Sequence, residues 1–226
     1  MHSTRRPRLK VCCIQDVEEA RLAVRLGAAA LGLVSAMPSG PGVIAEEMIA
    51  EVAGIVPPPV ASFLLTSRQD VAGIVEQQRR TRVSTLQICD RLEPGAHREL
   101  RRALPGIALV QVVHVTGPAS VEEAVAVAGE ADAILLDSGN QSLAVKELGG
   151  TGRRHDWRLS RLIRESVPVP IFLAGGLRAE NVQEAIAEVG PFALDVCSGV
   201  RTDGRLDAHK LERFVTAIAA GHGQRA

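Results

Sequence analysis

The feature that most constrains the fold is an alternation, repeated eight times, of a short aliphatic segment and a segment with helical periodicity. The predicted strands are Leu9–Ile14, Ala30–Val34, Val60–Leu65, Thr85–Ile88, Ala108–Val113, Ala133–Asp137, Pro170–Ala174 and Phe192–Cys197. The predicted helices are Val17–Leu26, Ala45–Val56, Arg68–Arg80, Pro94–Ala103, Ser120–Glu130, Trp157–Glu165, Ala179–Val189 and Ala208–Ala219. Strands that are apolar on both faces and alternate with helices indicate a parallel sheet. Eight such units, repeating about every 25 residues, predict a closed (β/α)8 barrel, the TIM barrel of the α/β class.

An open, doubly wound sheet is the alternative that the same alternation allows. Such a sheet usually carries its glycine fingerprint after the first strand. This chain instead concentrates its glycines after the sixth, seventh and eighth strands, which favours the barrel. Because the 226 residues contain no low-complexity linker, we predict one domain over residues 1–226, with loose tails at 1–8 and 221–226.

The composition argues against several classes of protein. Twenty-six basic residues balance twenty-six acidic ones, and aromatic residues make up only 2% of the chain, so nucleic acid is not an expected partner. No window of about eighteen apolar residues is free of charge, so no membrane span is predicted. The opening MHSTRRPRL has no apolar run behind it, and we therefore expect a cytosolic location. The four cysteines form no CxxC pair and are predicted to be thiols, with no metal site.

The candidate site is centred on the stretch from Ala133 to Trp157. A buried strand ends there in Asp137, and the polar segment after it closes on the glycine-rich run Gly149–Gly152. Parallel α/β proteins build their active sites at the carboxyl ends of strands, and glycines leave backbone N–H groups free to bind phosphate. We expect Asp137 to act as an acid and this loop to close over a phosphorylated substrate.

Two further glycine clusters follow the seventh and eighth strands. Barrel enzymes commonly hold a phosphate between the loops after these two strands. A single glycine pair is a weak signal because glycine is common in turns, but clusters in consecutive loops are a stronger one. The predicted phosphate-binding residues are Gly150, Gly152, Gly175, Gly176, Ser198 and Gly199.

An ordered set of motifs, spread from about Leu9 to Phe214, resembles the phosphoribosylanthranilate isomerase family. No single motif is decisive, but their order along the chain is specific. The motifs are Lys10-Val11-Cys12 with Ile14, Leu86-Gln87-Ile88, Leu135-Leu136-Asp137, Gly149-Gly150-Thr151-Gly152 with Asp156-Trp157, Ala174-Gly175-Gly176-Leu177 with Glu180-Asn181-Val182, and Asp195-Val196-Cys197-Ser198-Gly199-Val200.

The resemblance implies an activity and assigns two catalytic residues. Members of the family that the chain resembles catalyse the Amadori rearrangement of N-(5-phosphoribosyl)anthranilate to a 1-deoxyribulose 5-phosphate in tryptophan biosynthesis, with no metal and no organic cofactor. It places the general base on Cys12 and the general acid on Asp137. The reaction needs such a pair, because an acid must protonate the ring oxygen and a base must remove the C2′ proton. Since neighbouring strand residues face opposite sides, only one of Cys12 and Cys13 is expected to face the barrel mouth.

The implied partner is a small phosphorylated sugar-amine, and the sequence leaves the oligomeric state open. One departure from the family concerns the amine. Where the family has an arginine that pairs with the anthranilate carboxylate, this chain has glycine, in the loop segment Gly40-Pro41-Gly42. Such a pair is a strong charge-assisted contact, so either another cation replaces it or the amine lacks the carboxylate. Arg201 is the candidate replacement, or else a solvated surface residue. Asp195 is expected to bind the sugar or order the loops, or to be structural.

Three alternatives follow from these departures. The first is a paralogous Amadori-type isomerase whose amine has no carboxylate. The second is a metal-dependent hydrolase, which would require Cys12, Cys89, Cys197 and His114 to converge on a metal, although no local ligand spacing supports it. The third is a barrel that binds phosphate without chemistry, against which the presence of both Cys12 and Asp137 argues.

Overall fold

The structure is a computed structural model that describes residues 6–220, which form a barrel of parallel strands surrounded by helices. The barrel strands are β1 (Arg8–Val11), β2 (Ala30–Val34), β3 (Ala61–Thr66), β4 (Thr85–Ile88), β5 (Ala108–His114), β6 (Ala133–Asp137), β7 (Ile171–Leu173) and β8 (Ala193–Val196). The helices are α1 (Val17–Arg25), α2 (Glu46–Ile55), α3 (Val71–Thr81), α4 (Ala96–Ala103), α5 (Ala119–Ala128), α6 (Trp157–Ser166), α7 (Val182–Val189) and α8 (Ala208–Ala220). Between β8 and α8 lie a short 3-10 turn, Ser198–Val200, and a two-stranded hairpin, β9 (Arg201–Thr202) and β10 (Arg205–Leu206).

Each barrel strand pairs in parallel with the next along the chain, and β8 pairs with β1 to close the sheet. At this closure Lys10 of β1 stands opposite Asp195 of β8. The prediction of a (β/α)8 barrel is therefore confirmed, and the open-sheet alternative was wrong. Every predicted strand and helix overlaps an observed one, with boundaries that differ by a few residues.

The apolar side chains form two separate layers. The larger layer lies between the sheet and the helices and includes Trp157 and Phe214, both essentially inaccessible to solvent. The smaller layer fills the barrel itself, where the rings of Phe63 and Phe172 meet with centroids 5.7 Å apart. Because side chains alternate along a strand, each strand turns one set of residues towards the helices and the other set into the barrel. This two-sided burial explains the continuous aliphatic runs in the sequence.

Short-range chemistry explains where several helices begin and end. Asp16, Asp70 and Asp156 precede helices, and each carboxylate accepts a hydrogen bond from a backbone N–H in the first turn, at 2.9, 2.6 and 2.8 Å respectively. Gly190 ends α7 in the left-handed region, with a φ of 64°. Such a glycine commonly ends a helix because it lacks the Cβ that makes this conformation costly.

The ends of the described chain refine the predicted tails. Of the predicted loose tail 1–8, the structure describes residues 6–8, and Arg8 among them belongs to strand β1 of the barrel. Residues 1–5 and 221–226 lie outside the described residues, and the prediction of loose tails there stays a prediction. None of the helices within residues 6–220 combines the length and the apolar character needed to cross a membrane.

The left-handed C-cap of α7 generates a stability prediction. A Cβ on Gly190 would have space, since the nearest heavy atom, Arg164 Nε, would lie 3.9 Å away, but the φ of 64° would be strained. Gly190→Ala should therefore lower the free energy of unfolding by about 1 kcal/mol. Gly54→Ala is the matched control, because a Cβ there meets nothing within 4 Å in the exposed end of α2.

The control substitution Gly54→Ala should raise the free energy of unfolding by about 0.5 kcal/mol, because alanine is a better helix former than glycine. Urea unfolding of both variants and the wild type measures the two shifts. The same sign for both substitutions would contradict a conformational role for Gly190.

Candidate active site

A cavity opens at the carboxyl end of the barrel, where the loops after β1, β2, β6, β7 and β8 meet. This is the end at which (β/α)8 enzymes carry their active sites. Its wall contains Cys12 from the first loop, Asp137 from the end of β6 and Asp195 from β8. The barrel thus brings together the predicted acid, the predicted base and the predicted strand-eight carboxylate.

Asp137 is the last residue of β6 and is 8% exposed, so its carboxyl group is confined to the cavity wall. Its Oδ1 accepts a hydrogen bond of 2.7 Å from the backbone N–H of Ser138. Its Oδ2 lies so close to Gly149 that a Cβ on this glycine would approach it to 2.6 Å. Because residue 149 has no side chain, the loop after β6 can pass directly over the carboxyl group.

Cys12 lies at the opposite side of the wall, one residue beyond β1, and is 6% exposed. Lys10 lies two residues earlier on the same face of the chain and is completely buried inside the barrel. Its ammonium group donates a 2.9 Å hydrogen bond to Asp195 Oδ2 and lies 5.3 Å from the centre of the Phe63 ring. Burial alone would lower the pKa of Lys10, but the Asp195 carboxylate, together with Cys12, raises it above its ordinary value.

Lys10 is a charged residue of the site that the sequence did not single out. It belongs to a motif of the resemblance, but a lysine in a strand is most simply expected at the surface. The signal that could have found it is its position two residues before Cys12, which puts both side chains on the same face of β1.

Both cysteines of the Cys12-Cys13 pair line the cavity, so the expectation that only one of them faces the barrel mouth was wrong. The strand ends at Val11, and Cys13 adopts a φ of 61°. The alternation of side chains in a strand no longer applies beyond this point. The Cys13 sulfur lies 2.8 Å from the sulfur of Cys197, which follows β8.

Four of the five predicted phosphate-binding glycines line the cavity and form its glycine wall. Gly150, Gly152, Gly175 and Gly176 all line it, together with Ser198, and all four glycines have positive φ angles. A Cβ on Gly176 would meet the backbone of the segment after β6 at about 3 Å, namely Arg154 N at 2.9 Å. The loops after β6 and β7 therefore touch through their backbones.

Gly199 lies behind the cavity rather than in its wall, contrary to the prediction that it binds phosphate directly. A Cβ at this position would approach the carbonyl oxygen of Leu177 to 2.0 Å. The glycine is needed because the turn after β8 packs against the backbone after β7. Its contribution to the site is thus to hold Ser198 in the wall.

Arg201 is not placed to bind a substrate carboxylate, which corrects the expectation from the sequence. Its guanidinium pairs with the buried carboxylate of Glu19 at 3.1 Å and donates hydrogen bonds to the backbone carbonyl oxygens of Cys12 and Cys13. The side chain is 7% exposed and does not line the cavity. Arg201 is therefore neither a free cation nor a solvated residue, and it clamps the segment that carries Cys12.

The loop after β6 is also held from the far side of the barrel mouth. Lys146 of this loop pairs with Asp90 after β4 at 2.5 Å, and Gln141 donates a hydrogen bond to the carbonyl oxygen of Cys89. His114 Nε2 lies 3.2 Å from the same carbonyl oxygen. Cys89 and His114 thus take part in the contact that holds the loop after β6.

Within residues 6–220 no three His, Cys, Asp or Glu side chains are grouped to hold a metal ion. The convergence required by the hydrolase alternative is not found there.

A closed (β/α)8 barrel with acidic and thiol groups facing a glycine wall at the strand ends defines a TIM-barrel enzyme. The sequence model of the family described as N-(5'phosphoribosyl)anthranilate (PRA) isomerase matches residues 9–217. The chain belongs to this family, and the predictions of the family, of an isomerase, and of phosphoribosylanthranilate isomerase activity in tryptophan biosynthesis are confirmed.

Individual relatives agree with this assignment. The chain is similar to N-(5'-phosphoribosyl)anthranilate isomerases from Methanothrix thermoacetophila, with 36% identity over 93% of this chain and 97% of the relative, and from Methanocella arvoryzae, with 34% identity over 93% and 97%. Its structure is similar to that of phosphoribosyl anthranilate isomerase from Thermotoga maritima, with a TM-score of 0.81, 27% identity, and coverage of 95% of this chain and 99% of that one. The expected cytosolic location stays a prediction.

The loop before α6 contains a buried histidine that the sequence did not single out. His155 is 9% exposed, its Nε2 lies 2.7 Å from the Ser160 hydroxyl, and its Nδ1 has no hydrogen-bond partner within residues 6–220. Burial lowers the pKa of His155 from 6.5 to about 4, against the opposing influence of Asp137. The folded protein therefore holds this ring neutral beside Gly175, where a charge would be desolvated.

This histidine makes the stability depend on pH. Because its pKa is lower in the folded chain, the unfolded chain binds the extra proton, and stability is lost as the pH falls from 6.5 towards 4. The loss should reach up to about 3 kcal/mol. In His155→Gln the decline over this window should be shallower by that amount, whereas the exposed control His209→Gln should decline like the wild type. Urea unfolding at a series of pH values measures the free energy of unfolding of each protein. Parallel curves of this free energy against pH for the wild type and His155→Gln would contradict the role given to His155.

Proposed function

We propose that the chain rearranges N-(5'-phosphoribosyl)anthranilate in the cavity at the carboxyl end of the barrel, with Asp137 as general acid and Cys12 as general base. The observation that carries this proposal is that Asp137, at the end of β6, and Cys12, after β1, are both more than nine-tenths buried and line the same cavity. A solved phosphoribosyl anthranilate isomerase of 26% identity and TM-score 0.79 contains the reduced product analogue 1-(o-carboxyphenylamino)-1-deoxyribulose 5-phosphate, a phosphorylated sugar-amine.

Asp137 supplies the proton that opens the ribose ring. Its Oδ1 is fixed by the backbone N–H of Ser138, which leaves Oδ2 to meet the ring oxygen. Protonation of that oxygen breaks the C1′–O bond as the amine nitrogen pushes its lone pair towards C1′. The product is an open-chain protonated imine, so the substrate's own nitrogen accepts the electrons in the next step.

Cys12 then removes the C2′ proton of the protonated imine. The thiolate is the form that does this, and the buried ammonium group of Lys10, whose pKa is raised in part by Cys12, is the cation that accompanies it. Loss of the C2′ proton gives an enolamine, which tautomerises to the ketose. Since Arg201 binds the carbonyl oxygens of Cys12 and Cys13, the thiol is presented from a fixed backbone.

The glycine wall binds the phosphate of the substrate. Gly152, Gly175 and Gly176 expose backbone without side chains, and Ser198 adds a hydroxyl on the same side of the cavity. A phosphate can therefore approach the main chain closely and accept several N–H hydrogen bonds. This grip fixes one end of the sugar so that C1′ and C2′ lie between Asp137 and Cys12.

The two assignments predict matched losses of turnover. Asp137→Asn and Cys12→Ala should each lower kcat by about 100-fold or more, because each removes a proton-transferring group. Affinity for the phosphate end should change little, since neither residue belongs to the glycine wall. Steady-state assays that follow the loss of phosphoribosylanthranilate fluorescence give kcat, and inhibition by ribose 5-phosphate reports the phosphate end.

Cys89→Ala and Asp203→Asn are the controls. The first removes a buried thiol that does not line the cavity, and the second changes an exposed turn carboxylate in the same way as at position 137. Both should retain nearly full kcat. A kcat close to the wild-type value in Cys12→Ala or Asp137→Asn would exclude that residue from proton transfer.

A second candidate substrate is a phosphoribosyl amine without the carboxylate. Among the described residues that line the cavity, none is lysine, arginine or histidine, whereas two are aspartates. The loop after β2 contributes Met37, Ser39, Gly40 and Pro41, which are uncharged. The carboxylate of an anthranilate substrate would therefore lose its water without meeting a cation in the wall. An amine without the carboxylate would avoid this cost of desolvating a charge.

N-(5-phosphoribosyl)aniline tests this point, because it is phosphoribosylanthranilate without the carboxylate. In the wild type the two kcat/KM values should lie within about tenfold of each other, since no charge-assisted contact discriminates between them. Met37→Arg should raise the preference for the anthranilate compound about tenfold, while the control Met37→Leu should leave it unchanged. A wild-type preference for the anthranilate compound of more than about 100-fold would exclude this second candidate.

A further inference from the structure

The cavity wall contains a pair of thiols to which the isomerase mechanism gives no task. The sulfur atoms of Cys13 and Cys197 lie 2.8 Å apart, although the residues are separated by almost the whole barrel sequence. A disulfide has a sulfur–sulfur distance of about 2.0 Å, so a small approach of the two side chains would join them. Cys13 is buried and Cys197 is half-buried, and both face the cavity, through which a small oxidant can reach them.

The charges around the pair differ between its two members. The hydrogen bond with Cys13, with a further contribution from the Arg201 guanidinium, lowers the pKa of Cys197 despite its burial. Hydrogen bonds to Cys12 and Cys197, together with burial, raise the pKa of Cys13 well above its ordinary value. The pKa values of the two thiols are thus shifted in opposite directions, and Cys197 is the one that loses its proton more readily. Thiolates next to a cation and near a second thiol are the ones that oxidise reversibly.

We propose that Cys13 and Cys197 are an oxidation site at which a peroxide forms a reversible disulfide that turns the isomerase off. The Cys197 thiolate attacks one peroxide oxygen, which breaks the O–O bond, releases hydroxide and leaves a sulfenic acid on Cys197. The sulfur of Cys13 then attacks the Cys197 sulfur, and the thiol proton leaves with the hydroxyl group as water. Two thiols are oxidised, one hydrogen peroxide is reduced, and a dithiol reductant reverses the change.

The position of the pair explains why the bond would affect catalysis. Cys13 directly follows Cys12, the proposed base, and Cys197 directly precedes Ser198 of the glycine wall. A bond between the two sulfur atoms therefore pulls on the segments that carry Cys12 and Ser198, on both sides of the sugar. A misplacement of about 1 Å can cost a hundredfold in rate, so kcat/KM should fall at least about tenfold on oxidation.

The fourth cysteine provides a control within the same chain. Cys89 is completely buried in the barrel, does not line the cavity, and has a pKa raised by that burial. It should stay reduced under conditions that oxidise the pair, because the thiol form is unreactive.

The experiment treats the full chain with hydrogen peroxide and then blocks the remaining thiols. Peptide mass spectrometry maps the bond, and isomerase activity is measured before oxidation, after it, and after dithiothreitol. The wild type and Cys89→Ala should lose two hydrogens in a bond between the peptides that contain residues 13 and 197, and should regain activity on reduction. Cys13→Ser and Cys197→Ser should form no such bond, and each should keep its own starting activity better than the wild type does.

Mapping of the bond in the wild type does not depend on any variant or on the isomerase mechanism, so the two proposals can fail separately. Three outcomes would each overturn the oxidation site. The first is oxidation of Cys12 with no bond between Cys13 and Cys197, and the second is a disulfide that still forms in Cys13→Ser and so involves Cys12. The third is a loss of activity on oxidation that Cys197→Ser does not prevent.

Discussion

The buried ion pair between Lys10 and Asp195 is the interaction on which the site depends. It forms where β8 closes the barrel against β1, with Lys10 opposite Asp195 in the register of the two strands. Cys12 lies two residues beyond Lys10 and Cys197 two residues beyond Asp195, and both cysteines line the cavity. The pair thus fixes the relative height of the two strands that carry the thiols. Removal of one partner would leave an uncompensated charge inside the barrel, which typically costs about 3–5 kcal/mol.

The rest of the site is built by backbone segments that approach one another without side chains between them. Gly149 lets the loop after β6 pass over Asp137, Gly176 lets that loop touch the one after β7, and Gly199 lets the turn after β8 pack on Leu177. Each approach would be blocked by a Cβ at 2 to 3 Å. Gly149 and Gly176 also line the cavity, and the three glycines together allow three consecutive loops to form one continuous wall. Asp90 and Lys146 hold the same wall from the opposite rim.

The fold could be predicted from the sequence because its determinants are local and repeated. Eight aliphatic runs, each followed by a helical period, define the barrel, and Asp137 was recognisable because it ends a buried run. What failed depended on contacts between distant segments or on a single backbone angle. The φ of Cys13 turned a second thiol inward, Glu19 in α1 captured Arg201, and the barrel closure buried Lys10. Neither Asp195 nor Glu19 is near its partner in sequence, so a short window does not show either ion pair.

The clamp between Arg201 and Glu19 has a consequence for how the protein becomes active during its synthesis. The arginine emerges from the ribosome near the end of translation, while the loop that it holds emerges near the beginning. The nascent chain therefore presents its first strand, with an unpaired lysine and unanchored thiols, until Asp195 and Arg201 have been synthesised. A partial translation product that ends before Arg201 lacks this clamp, so truncation near the C-terminus would release the segment that carries Cys12 at the opposite end of the chain.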